Sequence, residues 1–252
     1  KYAEGLLAIK YRTKDANGEV AGGPMHYILN GMGQKWRPLA IFFAFSGILV
    51  AFLGIGTFSQ VNSITDSLQN SFNWSPKIVS ILIAIIVGLI IFGGIQSISK
   101  VSEKLVPFMA AAYILAALTV IALNYKNIIP AIQQVFSGAF TGTAAVGGFA
   151  GALVKDAIQN GIARGVFSNE SGLGSAPIAA AAAKTNEPAE QGLISMTGTF
   201  IDTIIICTLT GLAILVTGKW TVSGLEGAPL TQSAFATVFG NVGVLVLTVC
   251  LV

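Results

Sequence analysis

The sequence contains very little charge for its length. Only 10% of its 252 residues are Asp, Glu, Lys or Arg, whereas 54% are hydrophobic and the mean hydropathy is +0.76. A soluble domain carries about 25% charged residues. Because so few charges cannot cover a surface that faces water, the composition excludes an ordinary cytoplasmic enzyme and a disordered chain. It indicates an integral membrane protein.

Cysteine and histidine are also scarce. Cys207 and Cys250 both lie in apolar runs, where cysteine usually acts as a small hydrophobic residue, so a secreted disulfide scaffold is excluded. His26 is the only histidine and has no cysteine or carboxylate at ligand spacing, so we expect no bound metal and no cofactor. A hydrolase built on Ser171 would lack a histidine base within a span. We therefore expect the protein not to be an enzyme.

Stretches of about 20 mainly apolar residues predict transmembrane helices. We predict an all-α polytopic membrane protein, a single transmembrane domain over residues 1–252. The predicted spans lie near 38–62, 78–99, 105–125, 148–183, 192–217 and 229–252.

Loop charges predict the orientation of these spans. Nine loop Lys and Arg residues fall on the side of the 1–37 segment and three on the other side. The positive-inside rule then places residues 1–37 in the cytoplasm. We expect the spans to lie in the plasma (inner) membrane, with the lipid bilayer as a partner. The basic residues form no single patch, so no nucleic acid is expected to bind. Since the chain starts at Lys1 without a methionine and stops in an apolar run, we interpret it as an internal segment of a longer protein.

The fourth predicted span is too long for one crossing. A continuous helix from Ala145 to Ala183 would measure about 60 Å, twice the hydrocarbon thickness. It contains the octet, defined here as residues 168–175 with the sequence Ser-Asn-Glu-Ser-Gly-Leu-Gly-Ser. Ser175 suits a helix N-cap and Pro177 suits the first turn of the helix that follows. The sequence therefore predicts a discontinuous helix that breaks at the octet.

Unwound backbone at membrane depth is tolerated only where it lines a cavity or is buried in protein. Its free N–H groups suit a carboxylate, and its carbonyl, serine and asparagine oxygens suit Na⁺. The alternative is a glycine-rich kink needed only for packing. Glu170 and Asp202 are carboxylates in predicted spans, where a charge is costly and usually functional, although a purely structural hydrogen bond is the alternative for Asp202. Gln60, near the end of the first span, is a weaker candidate for binding a substrate.

Several stretches resemble the alanine or glycine:sodium (or proton) symporters of the amino acid carrier type. The resemblance covers essentially the whole chain, and its most specific part includes the octet. The matching stretches are 1–12, 22–25, 165–177, 191–192, 200–203 and 207–208.

This resemblance implies a leucine-transporter-like inverted-repeat fold, of which the chain would be a part. The chain would run from the end of the second core helix into the eighth, with the discontinuous helix as the sixth. The implied activity is symport of a small neutral amino acid, alanine or glycine, with Na⁺ or H⁺ as coupling ion. The implied substrate-site residues are Gln60, Phe167, Ser168, Asn169, Gly172 and Gly174. Candidates for the coupling ion are Glu170, Asp202 and Thr203.

One alternative function belongs to another class. In an ion channel or pore, residues 168–175 would form a re-entrant filter instead of a carrier site. A carrier and a channel differ in turnover, so unitary currents far above carrier rates would favour the channel.

Overall fold

The computed structural model describes residues 1–16, 18–53, 57–140 and 150–251. Within these ranges the chain is mostly helical, with one two-stranded antiparallel sheet formed by β1 (Thr13–Lys14) and β2 (Val20–Ala21). The α-helices are α1 (Tyr2–Lys10), α2 (Pro24–Tyr27), α3 (Arg37–Leu53), α4 (Thr57–Phe72), α5 (Pro76–Phe92), α6 (Gly94–Leu123), α7 (Ile128–Phe140), α8 (Ala150–Asn169), α9 (Ala176–Ala180), α10 (Pro188–Phe200), α11 (Thr208–Val216), α12 (Gly227–Phe239) and α13 (Asn241–Leu251). A π-helical segment, Ile201–Cys207, connects α10 to α11.

The chain divides into two compact units. The first comprises residues 1–58 and 164–205. In this unit α1 packs along α10 at glycine contacts. A Cβ at Gly5 would lie 2.7 Å from the carbonyl oxygen of Gln191, and one at Gly192 would lie 2.9 Å from Tyr2. The two helices therefore approach each other almost backbone to backbone.

The second unit comprises residues 59–163 and 206–252. Its core lies where α6, α11, α12 and α13 meet, and Phe235 is fully buried there with its ring 5.7 Å from that of Tyr113. Buried Gln232 donates to Thr248 Oγ1 at 3.0 Å, which joins α12 to α13. Asn127 donates to the carbonyl of Val216 at 2.8 Å.

Three helical stretches in the described part of the chain are long and apolar enough to cross a bilayer. They are Gln34–Phe72, which runs across the undescribed residues 54–56, Gly94–Leu123 and Pro188–Thr217. These stretches overlap the predicted spans 38–62, 105–125 and 192–217. Large apolar side chains on them and on α5 are exposed, for example Phe92 at 92%. Such a surface fits an environment of lipid.

The helix ends differ from two of the predicted span boundaries. The predicted spans 78–99 and 105–125 are separated at Lys100, Glu103 and Lys104, whereas these residues lie inside α6. The helix break falls instead at Gly93-Gly94, where Gly94 has a φ of +70°. Lysine and glutamate are good helix formers, so charge alone does not end a helix. The predicted span 229–252 is not one helix either. It breaks at Gly240, with φ +56°, and α13 packs back on α12.

Parts of these predictions lie outside the described residues. These are residues 54–56 of the first predicted span, 148–149 of the fourth and 252 of the last. The remainder of the fourth predicted span forms α8, the octet and α9, and it positions the candidate site.

Candidate functional site

The discontinuity predicted at the octet is present. Helix α8 ends at Asn169, and α9 begins at Ala176 with Pro177 in its first turn. Between them Glu170, Gly172 and Gly174 have φ of +49°, +84° and +83°. Such values end a right-handed helix, and they cost a residue other than glycine about 1–2 kcal/mol. The chain therefore unwinds over residues 170–175.

The last turn of α8 is bonded to the π-helical segment Ile201–Cys207. Asn169 Nδ2 donates to Thr203 Oγ1 at 2.7 Å, and Thr203 Oγ1 in turn donates to Asn169 Oδ1 at 3.0 Å. Ser168 Oγ donates to the carboxylate of Asp202 in a short hydrogen bond. The structure thus brings together four of the predicted site residues. Single π-helical turns in long helices are frequent at functional sites.

A side-chain hydrogen bond joins the two ends of the unwound segment. Ser175 occupies the N-cap position of α9 but makes no capping bond there, and its Oγ donates instead to Glu170 Oε2 at 2.7 Å. Glu170 is exposed, and its left-handed backbone turns its side chain toward the start of α9. The carboxylate of this candidate coupling residue is therefore already engaged within the octet.

Glu4 also belongs to this site, although the sequence did not identify it. Glu4 Oε1 accepts hydrogen bonds from the backbone N–H groups of Gly172 at 3.1 Å and Gly174 at 3.3 Å. The other oxygen, Oε2, is buried without a hydrogen bond among the described residues. The negative charge of Glu4 adds to burial in raising the pKa of Tyr27 above its ordinary value.

This contact connects the first residues of the chain to the octet. Glu4 contacts the octet and α1 packs on α10. The cytoplasmic location of residues 1–37 stays a prediction. A signal was available in the sequence, because Glu4 is the only carboxylate in an otherwise apolar helix that ends in Lys10.

A glycine at position 174 is required by close packing as well as by its backbone angle. A Cβ there would lie 2.6 Å from the ring of Phe43 and 2.8 Å from Pro24. Gly174 is buried, whereas Gly172 is exposed and has open space around it. The two glycines therefore differ, and Gly172 is the one that leaves room for a ligand.

A depression of about 450 Å³ lies beside the pair Asn169–Thr203. Ser171, Thr199 and Phe200 also line it. Its volume lies within the usual range for small-molecule sites of about 300–1,000 Å³. Asn169 at the end of α8 and Ser171 within the break thus line the same space as Thr199 and Thr203.

Two predicted substrate-site residues are not joined to this cluster. Phe167, one residue before Ser168, is 38% exposed. Gln60 lies on α4 in the second unit, with an exposed side chain. Among the described residues, no group of three or more His, Cys, Asp or Glu side chains could hold a metal ion.

A long helix with a polar, glycine-containing break, in a chain with several helices apolar enough to span a bilayer, is typical of secondary transporters. The comparison with known families agrees with this class. Residues 1–252 match the model of the sodium:alanine symporter family, and the chain belongs to that family. The family is one of transporters, so the expectation that the chain is not an enzyme is confirmed.

Curated relatives match over nearly the whole chain. An uncharacterized transporter of Haemophilus influenzae is 53% identical over 99% of the chain and 54% of its own length. The sodium/alanine symporter AgcS of Methanococcus maripaludis is 49% identical over 100% of the chain and 55% of its own length. The probable sodium/glutamine symporter GlnT of Bacillus subtilis is 36% identical over 95% of the chain and 48% of its own length. The chain therefore spans about half the length of the curated relatives it matches.

Proposed function

We propose that the protein to which this chain belongs imports a small neutral amino acid, alanine or glycine, together with Na⁺ by alternating access. The observation that carries the proposal is the break between α8 and α9, which gathers Ser168, Asn169, Asp202 and Thr203 around unwound backbone. The family supports a cation-coupled amino-acid carrier. The name of AgcS points to alanine, and that of GlnT to a larger neutral amino acid.

In this proposal the octet supplies a substrate site near the middle of a leucine-transporter-like inverted-repeat bundle in the plasma membrane. Ser168, Asn169 and the backbone at Gly172 bind the polar groups of the amino acid, and Phe167 limits the size of its side chain. Gln60 stays a proposed substrate-site residue. Since Glu4 holds the N–H groups of Gly172 and Gly174, the substrate carboxylate uses other donors of the octet.

The coupling ion is proposed to be Na⁺, with H⁺ as the alternative. Thr203 Oγ1, Asn169 Oδ1 and the carboxylate of Asp202 are neutral and anionic oxygens within one small cluster. Oxygen donors of this kind suit a dehydrated hard cation. Glu170, six positions before the start of α9, is a second carboxylate, and it accepts a hydrogen bond from Ser175 Oγ.

Uptake of radiolabelled alanine by the full-length protein in proteoliposomes tests the proposal. We expect concentrative uptake under an inward Na⁺ gradient and its loss when Na⁺ is replaced by choline. Asn169→Ala should remove most of this uptake while the protein still inserts. Asn70→Ala is the matched control, because Asn70 is exposed on α4.

Three results would contradict the proposal. One is uptake that responds to neither a Na⁺ nor a pH gradient. Another is uptake by Asn169→Ala that equals the wild type. Unitary currents far above carrier turnover in planar bilayers would support the channel alternative instead.

A further inference from the structure

The segment 172–186 is attached to the N-terminal residues at both of its ends, by Glu4 in α1 and by Arg12, which lies two residues after the end of α1. At the first end, Glu4 accepts the N–H groups of Gly172 and Gly174. At the second end, Arg12 donates to the carbonyls of Ala181, Ala183 and Thr185 at 3.0, 2.7 and 3.0 Å. It also donates to Asn186 Oδ1 at 2.7 Å. All six contacts join residues about 170 positions apart in the sequence.

The chemistry of the two side chains matches the backbone groups that they bind. The carboxylate of Glu4 accepts from N–H groups that precede α9, and the guanidinium of Arg12 donates to carbonyls that follow it. Hydrogen bonds in which one partner is an ionised side chain are stronger than neutral ones.

The residues that carry Glu4 and Arg12 are themselves closely packed. The glycine contacts described above place α1 on α10, and a Cβ at Gly22 would lie 2.3 Å from the Cβ of Ala181. Glu4, in α1, and Arg12, two residues after its end, are both only partly exposed, which reduces the screening of their charges by solvent. The attachment therefore joins a closely packed N-terminal segment to the unwound residues before α9 and to the residues after it.

We propose that Glu4 and Arg12 are positioning residues of the transport site: they hold the unwound segment 170–175 and the residues that follow α9 to the N-terminal residues 4–12, and so set the backbone geometry that binds the substrate. This inference rests on the proposed function. Glu4 acts here as a hydrogen-bond acceptor through Oε1.

Three variants of full-length protein separate this role from others. Glu4→Gln keeps an acceptor of the same shape, Glu4→Ala removes it, and Arg12→Lys keeps the charge but loses the fork of donors. Glu103→Ala is the matched control, because Glu103 is exposed on α6 and makes no hydrogen bond among the described residues. Alanine uptake gives KM and Vmax for each, normalised to the amount of protein in the membrane.

We expect Glu4→Ala to raise KM by about ten-fold or more, because it removes two hydrogen bonds whose acceptor is a carboxylate. Glu4→Gln should stay within about three-fold of the wild type, Arg12→Lys should lie between them, and Glu103→Ala should not change KM. A smaller amount of Glu4→Ala protein in the membrane with an unchanged KM would overturn the proposal. Equal changes of KM in Glu4→Gln and Glu4→Ala would also overturn it. A lower KM in Glu4→Ala would mean that Glu4 competes with the substrate, which also overturns it.

A second measurement does not depend on transport. Leu173→Cys, in a background with Cys207→Ala and Cys250→Ala, places a thiol in the octet at a position that is 52% exposed. Its rate of labelling by a membrane-impermeant maleimide in purified protein should rise about five-fold or more with Glu4→Ala, and little with Glu4→Gln. If the wild type labels as expected but carries no alanine, the proposed function fails and the attachment stands. If labelling is the same in all variants, the attachment itself is refuted.

Discussion

The paired hydrogen bonds between Asn169 and Thr203 allow a quantitative test of the site. Asn169 Nδ2 and Oδ1 both bond to Thr203 Oγ1, at 2.7 and 3.0 Å, and Nδ2 also donates to the carbonyl of Gly165 at 2.9 Å. Asn169→Ala thus removes three bonds, Thr203→Val removes two, and the double variant removes the same three. The two single changes should therefore not be additive.

The expected magnitude follows from the measured worth of such bonds in membrane proteins, about 0.6 kcal/mol each on average. Asn169→Ala should lower the free energy of unfolding by about 1.8 kcal/mol and Thr203→Val by about 1.2 kcal/mol. The double variant should lose about 1.8 kcal/mol, so that the coupling energy is about 1.2 kcal/mol. Both residues are half-buried, which supports values near this average.

Unfolding of the full-length protein by SDS in mixed micelles, followed by circular dichroism, measures these energies. Thr197→Val combined with Asn169→Ala is the control cycle, because Thr197 bonds only to carbonyls of its own helix, those of Leu193 and Ile194. That cycle should be additive. A coupling energy between Asn169 and Thr203 below about 0.3 kcal/mol, the usual limit of additivity, would refute the paired geometry.

Two further substitutions test the packing of the two units. Gly5→Ala should lower the free energy of unfolding by about 1–3 kcal/mol, because its Cβ would lie 2.7 Å from the carbonyl oxygen of Gln191. The control Gly47→Ala, whose Cβ would have nothing within 4 Å, should be neutral or stabilising. Thermal unfolding of the two proteins in detergent measures the difference, and equal melting temperatures would contradict it. Gln232→Ala should cost about 2–3 kcal/mol, since Gln232 is 3% exposed and joins α12 to α13. The exposed Gln69→Ala is its control in SDS unfolding, and a cost no larger than that of the control would show that the α12–α13 contact is not formed.

The helix break could be predicted from the sequence because its causes are local. Gly172 and Gly174 allow positive φ, and Pro177 favours the first turn of a helix, so three neighbouring residues point to one event. The break at Gly94 had a similar signal in the pair Gly93-Gly94. The charged residues Lys100, Glu103 and Lys104 do not mark a helix end, because charge affects burial and not helix continuity, and all three lie inside α6.

The contacts of the octet could not be predicted in the same way. Glu4 meets Gly172 across 168 positions, and no local pattern encodes that distance. Helix propensities also do not distinguish the π-helical segment Ile201–Cys207 from the α-helix on either side. Asp202 and Ser168 were identified singly, as a costly charge and as part of a polar break. Only the fold shows that they are partners.

The two sides of the helix break are held with different strength. Before the break, Asn169 makes neutral hydrogen bonds to Thr203, and only Ser168 bonds to a charged group, Asp202. After the break, Glu4 and Arg12 make six hydrogen bonds in which one partner is ionised. Charge-assisted bonds are roughly twice as strong as neutral ones. A rearrangement at the octet therefore costs less if α8 separates from the π-helical segment than if α9 separates from α1.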